Sequence, residues 1–220
     1  MKKLALLVLV ALSTSLAGYS QNENPKDPKA KAILDKLSAE TKSHETIYME
    51  FSYRIVNKPN GIDDTQDGKV WIKSNMYKLE FPGIERYSDG KTLWTVMVDD
   101  GECQITDAMS EDEEEENISP SSLLTIYENG FNYLYGNPTT INGKKVDMIK
   151  LFPEGGGKAY HTIKVYVNPA TNQMARIEVL NKDGNTYTYD LKMIKNDEPM
   201  ANTMFVFDTS NMDDVIDLRD

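Results

Sequence analysis

Cysteine and histidine are nearly absent from this chain: Cys103 stands alone, and His44 and His161 are the two imidazoles. A single cysteine excludes an internal disulfide, so the fold must be held by its core. Nucleophilic catalysis needs a nucleophile, a base and an orienting group. His44 and His161 are each flanked by ordinary polar residues and belong to no motif that sets such geometry. Cys103 follows a turn without a context that would lower its pKa, and reads as a small buried residue. GxSxG, HExxH and Gly-Lys-Ser/Thr phosphate-loop motifs are all missing. The triple glycine Gly155-Gly156-Gly157 precedes a strand rather than a helix, so it reads as a hairpin tip, not a phosphate cradle.

Positive charge is also scarce. Lys and Arg total 24 against 35 Asp and Glu, a net charge of −11. That balance argues against nucleic acid and against electrostatic attachment to anionic lipid, both of which require basic surfaces. The acidic run Glu111 to Glu116 lacks the spaced ligands and the glycine of a Ca²⁺ loop, and reads as a solvated, self-repelling loop. Asp208, Asp213, Asp214, Asp217 and Asp220 are irregularly spaced and read as surface charge. No metal and no cofactor is expected.

Long apolar runs are missing too. Leu4 to Leu12 is the longest, behind Lys2 and Lys3 and ahead of small and polar residues up to Ser20. This run is too short to span a bilayer, and the three-part pattern is that of a secretory signal peptide. Cleavage after Ser20 or after Ala17 fits the small-residue rule. The expected organisation is a signal peptide over 1–20, a flexible lead-in over 21–28 and a single domain over 29–220, exported and soluble once the signal is removed.

What is present is mostly β-pattern. After Asp27-Pro28, Ala30, Ile33, Leu34 and Leu37 recur at helical spacing, predicting an amphipathic helix that ends near Lys42 to His44. From Ile47 the period becomes two: Ile47, Met49, Phe51, Tyr53 and Ile55 alternate with polar or half-polar neighbours. Pro59-Asn60-Gly61 predicts a turn, followed by a polar tip carrying Asp63, Asp64 and Asp67. Strands are predicted at 69–73, 77–81, 86–88, 92–98 and 104–106, with Asp89-Gly90 and Asp99-Asp100-Gly101 as turns. Ser119-Pro120 opens a second helix with Leu123, Leu124 and Tyr127. Strands resume at 131–135, 145–152, 162–168, 173–180 and 186–194, and short runs at 204–207 and 214–218 close the chain. No βαβ spacing occurs. The pattern predicts an α+β, mainly β fold: a curved antiparallel sheet with helices covering its concave face, closed or half-open. Ten methionines in the mature part suit either a gap-filled core or an adaptable apolar surface.

Several landmarks then fall in a known order. They are Phe51-Ser52-Tyr53, the strand from Gly68 to Lys73 with Trp71, Tyr77-x-Leu79-x-Phe81-Pro82, and Ser88-Asp89-Gly90-Lys91-Thr92-Leu93-Trp94. Ser119-Pro120, Leu151-x-Pro153, Phe205-x-Phe207 and the terminal Val215 to Arg219 follow. Over nearly the whole mature chain this resembles the LolA family of periplasmic lipoprotein carriers. The resemblance implies an open half-barrel lidded by helices, with an apolar cavity for acyl chains and no catalytic activity or cofactor. Acylated lipoproteins, an inner-membrane release complex and an outer-membrane acceptor are the implied partners of a monomer. The family's Arg after the Trp-x-Lys strand, which bonds to the lid, is replaced here by Lys73-Ser74-Asn75.

On this basis the expected cavity wall is Phe51, Tyr53, Tyr77, Leu79, Phe81, Trp94 and Val96. Leu34, Leu37, Leu123 and Ile126 are expected on the lid helices. Strand alternation does not say which face is inside. A lipid-binding or envelope-stress sensor module on the same architecture is the alternative, and an enzyme using His161 or the Asp cluster ranks below both.

Overall fold

The computed structural model describes residues 26–108, 124, 125 and 127–219. The predicted signal peptide, the acidic run, the predicted helix opening at Ser119-Pro120, Leu123 and Ile126 lie outside the described residues; Leu124 and Tyr127, expected on that second helix, lie in turns rather than in a helix. Helix α1 spans Pro28–Lys42. It starts where predicted because the Asp27 carboxylate accepts from the free amides of Lys29 and Ala30, and Pro28 occupies a position that needs no amide donor. Asp27 also accepts from the Tyr135 amide at 3.0 Å, pinning the helix start to an edge strand.

The strands are β1 (Thr46–Asn57), β2 (Ile62–Lys73), β3 (Met76–Phe81), β4 (Ile84–Ser88), β5 (Thr92–Met97), β6 (Glu102–Asp107), β7 (Phe131–Tyr135), β8 (Thr139–Ile141), β9 (Lys144–Pro153), β10 (Tyr160–Asn168), β11 (Gln173–Asn181), β12 (Thr186–Asn196) and β13 (Asp214–Asp217). They form one sheet in the order β13-β6-β5-β4-β3-β2-β1-β12-β11-β10-β9-β7, with β8 paired to β9 alone. Two meanders thus meet where β1 pairs with β12. The outermost strands of this path, β13 and β7, do not pair with each other, so the curved sheet stays an open half-barrel. All pairs are antiparallel except β13 with β6, which run parallel.

Three local expectations need correction, and one short strand was not predicted. The polar tip at Asp63 to Asp67 is part of β2, which pairs with β1 from Asn57↔Ile62 onward. Its exposed residues carry no apolar alternation, so the ladder and the bidentate Arg54–Asp63 pair (2.7 and 2.6 Å) hold it instead. β8 is three residues long and carries no clear period. The run 204–207 is not a strand; Asn202–Phe205 is a 3₁₀ turn that inserts Phe205 into the core. The terminal strand is parallel because the chain crosses the outer face before it pairs.

The concave face is divided. Over β9, β10 and β11, α1 buries Ala30, Leu34 and Leu37 against Ile149, Leu151, Ile163, Val165 and Ile177. Over β1 to β3, a second cluster holds Ile47, Met49, Phe51, Val70, Ile72, Tyr77, Leu79 and Leu124. The outer face of that second half is covered as well. The segment after β12 packs Met200 and Phe205 on Tyr48 and Trp71, and Phe207 and Met212 against Val96, Cys103 and Ile105.

Candidate functional site

Beside α1, the concave face holds an apolar cavity of about 330 Å³, near the lower end of the range for small-molecule sites. Its floor follows from strand parity and register. Phe51 stands opposite Gly68 and Leu191, Tyr53 opposite Gln66 and Tyr189, Val70 opposite Leu79, and Phe81 opposite Ile84. Met49, Met174, Pro82 and Leu124 complete the apolar wall, and Gln66 and Arg86 are its polar members. A narrower space continues toward the C-terminal end of α1, sharing Met49, Leu124, Met174 and Leu191 and ending at Glu40, Thr41 and His44.

Aromatic rings shape the wall. Phe51 and Phe81 meet edge to face at 5.3 Å between centroids, and Tyr53 meets Phe81 in the same way at 5.8 Å. Tyr189 lies against both Tyr53 (5.2 Å) and Phe51 (6.1 Å). Gly68 makes this possible. A Cβ there would fall 2.7 Å from Phe51 Cζ and 3.1 Å from Phe81 Cε1. Burial raises the hydroxyl pKa of Tyr53 and of Tyr189, so both stay neutral and the wall carries no phenolate. Met49 and Met174 add unbranched thioethers, which adapt to different apolar shapes.

Of the expected wall residues, Phe51, Tyr53, Leu79 and Phe81 line this cavity. Tyr77 is buried in the same cluster without reaching the cavity. Trp94 and Val96 face the other side. They pair with Tyr87 and Glu85, which point away from the cavity, and pack in the outer cluster with Cys103 and Ile105. Their period-two pattern is sound, but both faces of β5 are covered, so alternation had no power to choose between them. Leu34 and Leu37 are core residues under α1 and do not line the cavity. Met49, Val70, Met174, Tyr189 and Leu191 were not among the expected wall residues. Met49 shares parity with Phe51 and could have been found; Tyr189 and Leu191 required the β1–β12 register.

Lys73 does not reach α1. Its Nζ donates to the Met200 carbonyl at 3.0 Å, on the outer face. Ser74 takes the left-handed turn position between β2 and β3, with φ 55°. The C-terminal end of α1 is tethered by other groups. His44 Nδ1 lies 2.8 Å from Asp197 and its Nε2 3.4 Å from Glu40, and Lys42 Nζ lies 2.6 Å from Glu128. The hydrogen bond to Asp197 raises the pKa of His44 and, reciprocally, lowers that of Asp197.

An open antiparallel half-barrel with a helix on its concave face and an apolar cavity beside the helix is the LolA-like architecture. The chain belongs to the family of the outer membrane lipoprotein carrier protein LolA, whose model matches residues 87–208, more than half of the sequence. No curated protein matches the chain. Among solved structures, an uncharacterized conserved protein from Thermus thermophilus is similar with a TM-score of 0.54 at 10% identity, covering 86% of this chain and 99% of that one. The lipoprotein LppX of Mycobacterium tuberculosis is similar at 0.49 and 15% identity, covering 80% and 98%. A LolA superfamily protein from Nitrosomonas europaea is similar at 0.43 and 12% identity, covering 81% and 97%.

Proposed function

We propose that this protein is a periplasmic carrier that receives acylated lipoproteins from an inner-membrane release complex and delivers them to an outer-membrane acceptor. The observation that carries this reading is the apolar cavity between β1 to β4 and β12, open to one side and walled by Met49, Phe51, Leu79, Phe81 and Leu191. Each methylene removed from water contributes about 0.8 kcal/mol. An acylated protein therefore leaves a membrane readily only when another apolar surface replaces the bilayer. Membership of the LolA family supports such a role, and no chemical step is part of it.

The test is purification of the exported protein from periplasm, followed by mass spectrometry of what travels with it. Acylated lipoproteins are expected, and proteoliposomes holding the release complex should give up lipoprotein only when the protein is added. A chain that carries no lipoprotein from periplasm and releases none from proteoliposomes is not a carrier.

A further inference from the structure

Among the described residues the cavity lining holds one charged group, and its sign runs against that of the chain. Acidic residues outnumber basic ones 35 to 24, yet the described residues lining the cavity include Arg86 and no carboxylate. Arg86 is exposed, as is Ile84 two residues before it on β4, so its guanidinium lies at the mouth rather than in the floor. Its flanking neighbours across the sheet are Leu79 and Thr95, and on its own strand Ile84 and Ser88 share its face. None of these is charged. Asp64 approaches the rim through Gln66, whose Nε2 donates to it at 3.2 Å. Among the described residues no carboxylate bonds to Arg86, whereas Arg54, Arg176 and Arg219 are each paired with one.

The geometry points to a cavity that takes an acyl chain ending in an anionic group, with Arg86 at the mouth holding that carboxylate or phosphate by charge-assisted hydrogen bonds. This rests on the proposal that the cavity shields acyl chains and adds a second kind of occupant: the acyl chains of a lipoprotein end in neutral ester and amide linkages, so a free carboxylate or phosphate belongs to a fatty-acid-like or phospholipid-like amphiphile. A guanidinium is weakly hydrated and presents a planar fork of donors that matches both oxyanions. The apolar floor provides affinity without discrimination, because every alkyl chain gains equally from burial. The cation at the mouth then distinguishes one end group from another.

Four ligands with the same hexadecyl skeleton provide the test: palmitate, hexadecyl phosphate, hexadecanol and hexadecylamine. Each is titrated into the purified full chain in low salt, below its micelle concentration, against a neutral polarity-sensitive dye such as Nile red. Palmitate, hexadecyl phosphate or both should bind about three- to tenfold more tightly than hexadecanol, the range for a hydrogen-bonded ion pair at an exposed mouth. Which of the two binds better distinguishes a fatty-acid-like end from a phospholipid-like one. Hexadecylamine should bind more weakly than hexadecanol. Arg86→Gln should erase the preference for the anionic ligands over hexadecanol, and Arg86→Glu should reverse it in favour of hexadecylamine. Circular dichroism melts check that both variants fold. Equal affinity for all four ligands, or a preference that survives in Arg86→Gln, overturns the role of Arg86 and leaves the apolar cavity standing. Failure of every ligand to bind overturns the cavity's acyl-chain role and this inference with it.

Discussion

Gly68 is the position where the cavity wall can be perturbed by a single carbon. It faces Phe51 across the β1–β2 pair. A Cβ at this position would lie 2.7 Å from Phe51 Cζ and 3.1 Å from Phe81 Cε1, against the 3.4–4 Å of ordinary contact. In Gly68→Ala the Phe51 ring must therefore shift by roughly 1 Å, away from β2 and across the cavity, because repulsion rises steeply inside contact distance. Overpacking of this kind costs about 1–3 kcal/mol, which lowers Tm by about 2–12 °C in a chain of this size. The displaced ring also removes room for one or two methylenes of a ligand, each contributing about 0.8 kcal/mol. Alkyl ligands should then bind about four- to fifteenfold more weakly. Nile red displacement by hexadecanol measures the second effect and a thermal melt the first. Gly156→Ala is the control, since a Cβ there meets nothing within 4 Å and its φ is not in the left-handed region. A Gly68→Ala protein with lowered Tm but unchanged ligand affinity refutes the assignment of Phe51 to the binding wall. One that changes in neither respect refutes the packing argument itself.

Three further outcomes follow from the placement of individual residues. Val96 is 5% exposed and lies in the outer cluster, so Val96→Ala should cost about 1.5–3 kcal/mol of stability by urea titration and leave ligand affinity unaltered; weakened ligand binding would place it in the cavity after all. The pKa of His44 is raised mainly by its hydrogen bond to Asp197, so its contribution is full below the ordinary histidine pKa and is lost as pH rises through its own higher value. Asp197 has a lowered pKa and keeps its contribution until pH falls through that value. The stability gap between the parent and His44→Ala should thus be widest near about pH 6 and shrink toward about pH 9, and a gap that stays constant across that range contradicts the tether. Cys103 is fully buried and burial pushes its thiol pKa up, so an aromatic disulfide reagent should modify it only on unfolding; rapid reaction in the native state is the contrary result.

Much of the element order was legible along the chain. The switch from helical to two-residue period at Ile47 marks the start of β1 within a residue, and Asp27-Pro28 marks the start of α1. Phe131–Tyr135 was predicted at its observed bounds. The residues after Ile62 were not, because a strand held by its backbone ladder and by Arg54–Asp63 leaves no apolar signature. Four cavity residues, Phe51, Tyr53, Leu79 and Phe81, were visible as the aromatic and aliphatic positions of alternating strands.

By itself the sequence determined the periods, the turns, the helix cap and the family landmarks, all of which depend on neighbours within a few residues. The tertiary structure decided which face of each strand became cavity. Period two is the same for both faces, and on β5 both carry apolar residues, Leu93 and Met97 on one side and Trp94 and Val96 on the other. The segment from Met200 to Met212 folds back over the outer face and claims Tyr48, Trp71, Trp94 and Val96. On the inner face, α1 fills one half through Leu34 and Leu37 and leaves the other half hollow. Tyr189 and Leu191 join that hollow only through a β1–β12 pairing that brings distant parts of the chain together. Arg86 acquires its meaning in the same way, as the positive group among the described residues of an apolar cavity, which no local pattern could announce.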